Sequence, residues 1–120
     1  MEIRSNFKKG SVEMLILMLL YDEPMYGYQL SQSILERSDN IINIPEGSLY
    51  PTLYKLQENG FVSDERRLVG KRMARIYYSI TDKGVERLKT LYSEYIMVQK
   101  GIQKIFDTSK LIEEETAYEE

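Results

Sequence analysis

The chain has 120 residues, 42% of them hydrophobic, with 16 basic and 19 acidic side chains for a formal charge of −3, and it contains neither cysteine nor histidine. Those two absences exclude thiolate nucleophiles, disulfides, imidazole general bases and the usual zinc-ligand sets, so no cofactor and no metal are expected. The length suits one folded domain with a core plus a long appendage, and the net acidity argues against nucleic acid unless the charge is unevenly spread.

Met1 to Gly10 forms a polar, basic arm, after which Ser11 is placed to cap a first helix. Met14 to Tyr21 is apolar throughout, but it is far too short to cross a bilayer and is bracketed by Glu13 and Asp22. With no signal-peptide cleavage pattern either, a cytoplasmic protein without membrane contact is expected. A helix apolar all round must be covered on more than one side, by its own domain as a central core helix or with help from a partner subunit. Pro24 breaks the chain, and Tyr26 to Arg37 then reads as a second helix with Leu30, Ile34 and Leu35 turned inward. Ser38 to Pro45 is a loop in which Ile42 and Ile44 are placed to add a short strand.

From Pro45 to Gly60 the sequence PEGSLYPTLYKLQENG predicts a third helix. Leu49, Leu53 and Leu56 recur at i, i+4 and i+7, which sets one inward stripe and leaves Ser48, Tyr50, Thr52 and Lys55 outward. Each of those four can donate to a phosphate or a base edge. Ser48 is the expected N-cap, with Pro51 in the first turn and Gly60 as the left-handed stop. By itself the segment also fits an ordinary amphipathic surface helix.

The residues after Gly60 favour a DNA-reading helix over that plain one. Phe61 to Leu68 and Met73 to Ile80 are strand-like, with Val69 to Arg72 as the turn between them. Lys71 and Arg72 sit at the tip, with Arg66, Arg67 and Arg75 close behind, so the far end of the hairpin is cationic. Charged hairpins commonly do no more than discourage edge pairing. Beside an outward polar helix, however, this one completes a helix-turn-helix with a β-wing, in which one helix enters the major groove and the wing holds the neighbouring backbone. Between Lys55 and Lys89 there are nine basic residues against five acidic ones, the reverse of the whole-chain balance.

Thr81 or Asp82 caps a long fourth helix running to about Phe106. Val85, Leu88, Tyr92, Tyr95, Ile102 and Phe106 are spaced by threes and fours, with Gln99 in the polar slot and Leu91, Val98 and Ile105 widening the seam, and a seam of that length is an association surface. A small domain cannot cover a helix of roughly 37 Å along its whole length. A homodimer with two-fold symmetry is therefore expected, with Leu15 and Leu19 of the first helix and Leu88, Tyr92, Tyr95, Ile102 and Phe106 of the long helix in the interface. The glutamates at 113, 114, 115, 119 and 120 mark a frayed acidic tail.

Three stretches, LILMLLYDEPMYGYQL (Leu15 to Leu30), EGSLYPTLYKLQENGFV (Glu46 to Val62) and ARIYYSITDKGVERL (Ala74 to Leu88), resemble the PadR family of bacterial transcriptional regulators. The resemblance implies a winged helix-turn-helix followed by a dimerisation helix, with two-fold dimers repressing transcription from palindromic operators, and the ending after one long helix is similar to the short-tailed branch. The family's Tyr-Gly-Tyr falls on Tyr26, Gly27 and Tyr28, and its recognition-helix core on Gly47, Ser48, Leu49, Tyr50 and Pro51. Relatives often carry a Gly-Arg-Pro-like wing tip where this chain has Gly70, Lys71, Arg72 and Met73. Some short-tailed relatives hold planar hydrophobic compounds between aromatic side chains of the long helices, and their aromatic position corresponds to Tyr95 here, with Tyr92 beside it.

The expected architecture is mainly α with a small β-hairpin: residues 1–80 a winged helix-turn-helix, 81–110 a dimerisation helix and 111–120 an acidic flexible tail. Tyr26, Tyr50, Lys55, Lys71, Arg72 and Arg75 are expected on phosphate or the minor-groove edge of double-stranded DNA. Ser48, Thr52 and Tyr54 are expected on base edges. A ligand- or protein-binding adaptor built on the same scaffold is the alternative, although an adaptor has no need of a cationic wing. An enzyme is not expected, because the sequence has no nucleophile–base pair, phosphate loop or carboxylate cluster with site-like spacing.

Overall fold

The computed structural model describes residues 9–119, with side chains described over 11–115. The basic arm lies outside the described residues, apart from Lys9 and Gly10, which open the first helix. The elements in chain order are α1 (Lys9–Asp22), β1 (Met25–Tyr26), α2 (Gly27–Arg37), α3 (Glu46–Glu58), β2 (Val62–Leu68), β3 (Ala74–Ile80), α4 (Asp82–Asp107) and α5 (Lys110–Glu119). Two compact units result, one ending at Leu88 and the other beginning at Lys89, within α4.

In the first unit α1 is the centre of the core. Ile16 and Leu17 are fully buried and Val12, Met14, Leu19 and Leu20 nearly so, each contributing on the order of 1.5–3 kcal/mol by leaving water. Its own unit therefore covers most of this all-apolar helix. Leu19, expected in a subunit interface, is 6% exposed within the single chain, whereas Leu15 stays half-buried. Leu15 and Met18 border a groove of about 210 Å³ whose other walls include Ile34 and Ile42. Leu30 and Ile34 of α2 and Leu49, Leu53 and Leu56 of α3 close the core.

The connection between α2 and α3 forms no strand. Asp39 and Asn40 take left-handed backbone conformations with φ of 54° and 65°, which Asp and Asn tolerate better than other side chains. Ile44 becomes a core plug at 1% exposure, its carbonyl accepting from the Ser31 hydroxyl at 3.1 Å. The third strand is instead β1, whose two residues complete an antiparallel sheet of order β1-β3-β2. Met25 lies opposite Tyr78 and both are buried, so that row faces the helices. Tyr26 lies opposite Tyr77 in the adjacent row, which by the alternation of a strand faces away from them.

Ser48 is not the cap of α3. Pro45, with φ −68° and ψ 157°, holds that position, and the Ser48 and Leu49 N–H groups both donate to its carbonyl. The fixed φ of proline sets the chain for helix entry three residues earlier than a hydroxyl cap at 48 would. Pro51 consequently falls in the second turn, where its missing N–H leaves the Gly47 carbonyl to solvent, at a position exposed enough for water to take it. The far end follows expectation: Gly60 has φ +80°, its N–H reaches the Gln57 carbonyl and that of Phe61 reaches Leu56, a Schellman closure.

Thr81 joins that closure to α4. Its hydroxyl donates to the Gly60 carbonyl at 2.7 Å and accepts from the Gly84 N–H at 3.0 Å, while Lys83 Nζ donates to the Asn59 carbonyl at 2.9 Å. Arg87 Nε reaches Glu13 Oε1 at 2.9 Å, tying α4 to α1 within the first unit. In the second unit, Ser109 caps α5: its hydroxyl accepts from Leu111 N–H and its carbonyl from Glu113 N–H. The stretch expected as a frayed tail is thus helical from Lys110, with Glu113 in the first turn where the helix dipole favours it.

Candidate nucleic-acid interface

The leucine stripe of α3 is buried to within 2% exposure, which fixes the rotation of the helix about its axis. Ser48, Tyr54 and Lys55 are exposed on its outward side, and Thr52 is half-buried with its hydroxyl donating to the Ser48 carbonyl at 3.3 Å. Tyr50 is placed differently from the other outward candidates. Its ring lies over Gly27 at the start of α2, so close that a Cβ there would stand 2.8 Å from its Cε1. The glycine of the Tyr-Gly-Tyr run is what lets α2 and α3 approach. Tyr54 lies next to Tyr50, ring centroids 5.8 Å apart.

Burial raises the Tyr50 pKa, with the Glu46 carboxylate and the Tyr54 phenol adding to it. Tyr78, on the core face of β3, is pushed up to about 12, chiefly by burial and further by Tyr54, Tyr50 and Asp64. Below pH 10 both folded and unfolded chains keep that proton and stability does not depend on it. As pH rises from 10 towards 12 the unfolded chain ionises first, so stability falls with pH. Tyr78→Phe is expected to weaken that fall, seen as a shallower decline of Tm above pH 10 than in the unaltered protein. Parallel declines would show that Tyr78 does not drive it.

The wing extends β2 and β3 beyond the core. Lys71 and Arg72 are exposed at its tip, Gly70 has φ +94°, and the Val69 N–H donates to the Met73 carbonyl at 2.7 Å to close the loop. Register places Arg67 opposite Arg75 on the face shared by Tyr26 and Tyr77. There the Arg75 guanidinium lies 4.4 Å from the Tyr26 ring and that of Arg67 4.4 Å from the Tyr77 ring, while the two tyrosines meet edge to face at 5.4 Å. The structure thus brings together Tyr26 and Arg75, which are far apart in sequence, and adds Arg67 and Tyr77. The register that sets Val62 opposite Ile80 is what puts Arg67 diagonal to Tyr77. Two cations counted with the wing, Lys83 and Arg87, are instead engaged at the α3 terminus and on Glu13.

Within the second unit, Tyr92, Tyr95, Val98, Ile102, Ile105 and Phe106 of α4 are all at least 40% exposed. Gln99 Nε2 donates to the Tyr95 hydroxyl, which leaves the ring face open. Among the described residues no group of three carboxylates could hold a metal ion, and no helix is long and apolar enough to cross a membrane.

Two helices crossing over a leucine core, the second carrying polar groups outward, followed by a cation-tipped antiparallel hairpin, define a winged helix-turn-helix. The chain belongs to the Transcriptional regulator PadR-like family, which it matches over residues 16–90. It is 32% identical to a transcriptional regulator from Clostridium thermocellum, with a TM-score of 0.78 over 85% of this chain and 96% of that one. A PadR-like transcriptional regulator from Bacillus cereus is 30% identical, with a TM-score of 0.75 over 88% of this chain and all of the other. A transcriptional regulator of Mycobacterium tuberculosis is 34% identical over 59% of this chain and 64% of its own length. Members of the family are transcriptional regulators, not enzymes, and the family supports a DNA-binding regulator.

Proposed function

We propose that the protein is a homodimeric repressor that binds a palindromic operator and is released from it by a small planar hydrophobic effector. The observation that carries the dimer is the apolar stripe on α4, six large side chains left open to solvent in the single chain. Monomeric proteins rarely expose so continuous a patch. A second copy covers it, and the half-open groove beside Leu15 and Met18 gives the partner's long helix a seat. Two-fold pairing presents two α3 helices and two wings, which suits half-sites about 34 Å apart.

Phosphate contacts from Tyr26, Lys55, Lys71, Arg72 and Arg75 set affinity, and Ser48, Thr52 and Tyr54 select the sequence. Tyr50, also expected on phosphate, lies with its hydroxyl as well as its ring edge against Gly27, so its first role is to set the approach of α2 and α3. With about four to six phosphates neutralised per dimer, log affinity is expected to fall against log salt with a slope of roughly −4 to −5. Fluorescence anisotropy on the region upstream of its own gene, with hydrodynamic sizing at micromolar concentration, tests both parts. A salt-independent affinity, or single subunits only, would refute the proposal.

The effector site falls on Tyr92 and Tyr95, whose open ring faces can sandwich a flat ligand and so alter the angle between long helices. Titration with planar aromatic compounds should lower operator affinity. No change at saturation removes the role for the compounds tried.

A further inference from the structure

We propose that the outward face of the wing sheet is a second phosphate-binding surface, in which Arg67 joins the Arg75 already placed on phosphate and the rings of Tyr77 and Tyr26 hold the two guanidinium groups in place. This rests on the DNA-binding function, and it assigns contact to a face that neither the tip nor α3 provides. Three observations carry it. Each guanidinium lies over a ring at 4.4 Å, on the diagonal that cross-strand register allows. An arginine stacked on a ring keeps the N–H groups at its edge available and has already lost much of the freedom that a phosphate contact would otherwise remove.

The second observation is the pairing of like charges. Arg67 stands directly opposite Arg75, an arrangement unfavourable in a sheet and relieved by an anion between them. The third is the weakness of the local alternative: Glu65 reaches Arg67 at 3.4 Å, but both side chains are largely in water, at 63% and 43% exposure, where such a pair holds little and a phosphate can displace it. Tyr77 is then a positioning residue, and the Tyr26 ring holds Arg75 while its hydroxyl keeps the phosphate contact proposed above. Lying on the strands behind Lys71 and Arg72, the pair extends the cationic track of the wing from its tip towards β1.

The test is anisotropy of the full chain on the duplex upstream of its own gene and on a scrambled duplex of equal length, between about 0.05 and 0.2 M salt. Arg67→Ala is expected to weaken both duplexes several-fold and make the salt slope shallower by about 1–2 per dimer, since one phosphate is lost from each subunit. Tyr77→Phe keeps the ring and should bind as the unaltered protein does, whereas Tyr77→Leu should reproduce the Arg67→Ala defect while staying folded, its Tm lowered by only a few degrees through loss of the ring contact with Tyr26. If Arg67→Ala leaves affinity and slope intact while loss of Lys71 and Arg72 still weakens binding, the outward face is not a DNA surface and the rest of the interface stands. If Tyr77→Phe is as weak as Tyr77→Leu, the hydroxyl and not the stacked arginine makes the contact, and the proposal falls.

Discussion

Gly84→Ala is expected to lower Tm by roughly 5–15 °C. A Cβ at position 84 would stand 3.0 Å from the Phe61 carbonyl carbon and 2.7 Å from Ile80 Cγ1. The first of these is backbone, pinned by Thr81 N–H donating to the Phe61 carbonyl at 3.0 Å, so the helix must move instead. Moving it strains the Thr81 hydroxyl bridge between Gly60 and Gly84. Helix propensity favours alanine by at most about 1 kcal/mol, against about 1–3 kcal/mol for forcing an extra methyl into a packed site, so the clash decides the sign. Gly47→Ala is the control. That position is in α3 with nothing within 4 Å of an added Cβ, and the same substitution there should stabilise by about 0.4–1 kcal/mol. Thermal denaturation of both variants checks the pair, and equal shifts would show that the Phe61 contact is not the constraint.

Lys71→Ala combined with Arg72→Ala is expected to have the largest effect on binding. Both side chains are exposed at the wing tip, and in a dimer the change removes four cations from the duplex. With about four to six phosphates neutralised per dimer in all, loss of one at each tip, at about 0.9 of slope apiece, should shrink the salt dependence by roughly 2 and lower affinity near 0.1 M salt by about tenfold or more. The loss should be the same for every sequence, because phosphates carry no sequence information. Thr52→Ala is the counterpart, changing preference among sequences more than overall affinity. Its hydroxyl already donates to the Ser48 carbonyl, so a base contact requires that hydrogen to rotate away. An anisotropy panel in which the wing variant altered preference and the Thr52 variant altered only affinity would reverse these roles.

Much of the fold was legible in the sequence wherever one period or one residue type decides the outcome. The leucines of α3 bury on a 3.6-residue repeat whatever surrounds them, and Gly60 stops the helix because only a residue tolerant of positive φ closes it that way. Thr81 before a run of helix formers announced α4. Elements that depend on distant partners were not legible. β1 has two residues, too few for any period, and exists because Tyr77 and Tyr78 offer a free edge. The placement of Tyr50 depends on Gly27, which meets it only after α2 and α3 have crossed. Lys83 and Arg87 look like wing cations in a linear count, yet the fold directs one to a helix terminus and the other to Glu13. Arg67 is one cation among several in the sequence, because what distinguishes it is a ring on the next strand. The acidic character of residues 111–120 masked the Ser109 cap that starts α5.

DNase footprinting of the protein on the region upstream of its own gene bears most directly on whether paired reading heads engage a duplex. Two protected half-sites are expected, related by two-fold symmetry and centred about one helical turn apart, with protection fading as salt rises. Protection of a single half-site, or none above that of a scrambled fragment at any salt concentration, would contradict it.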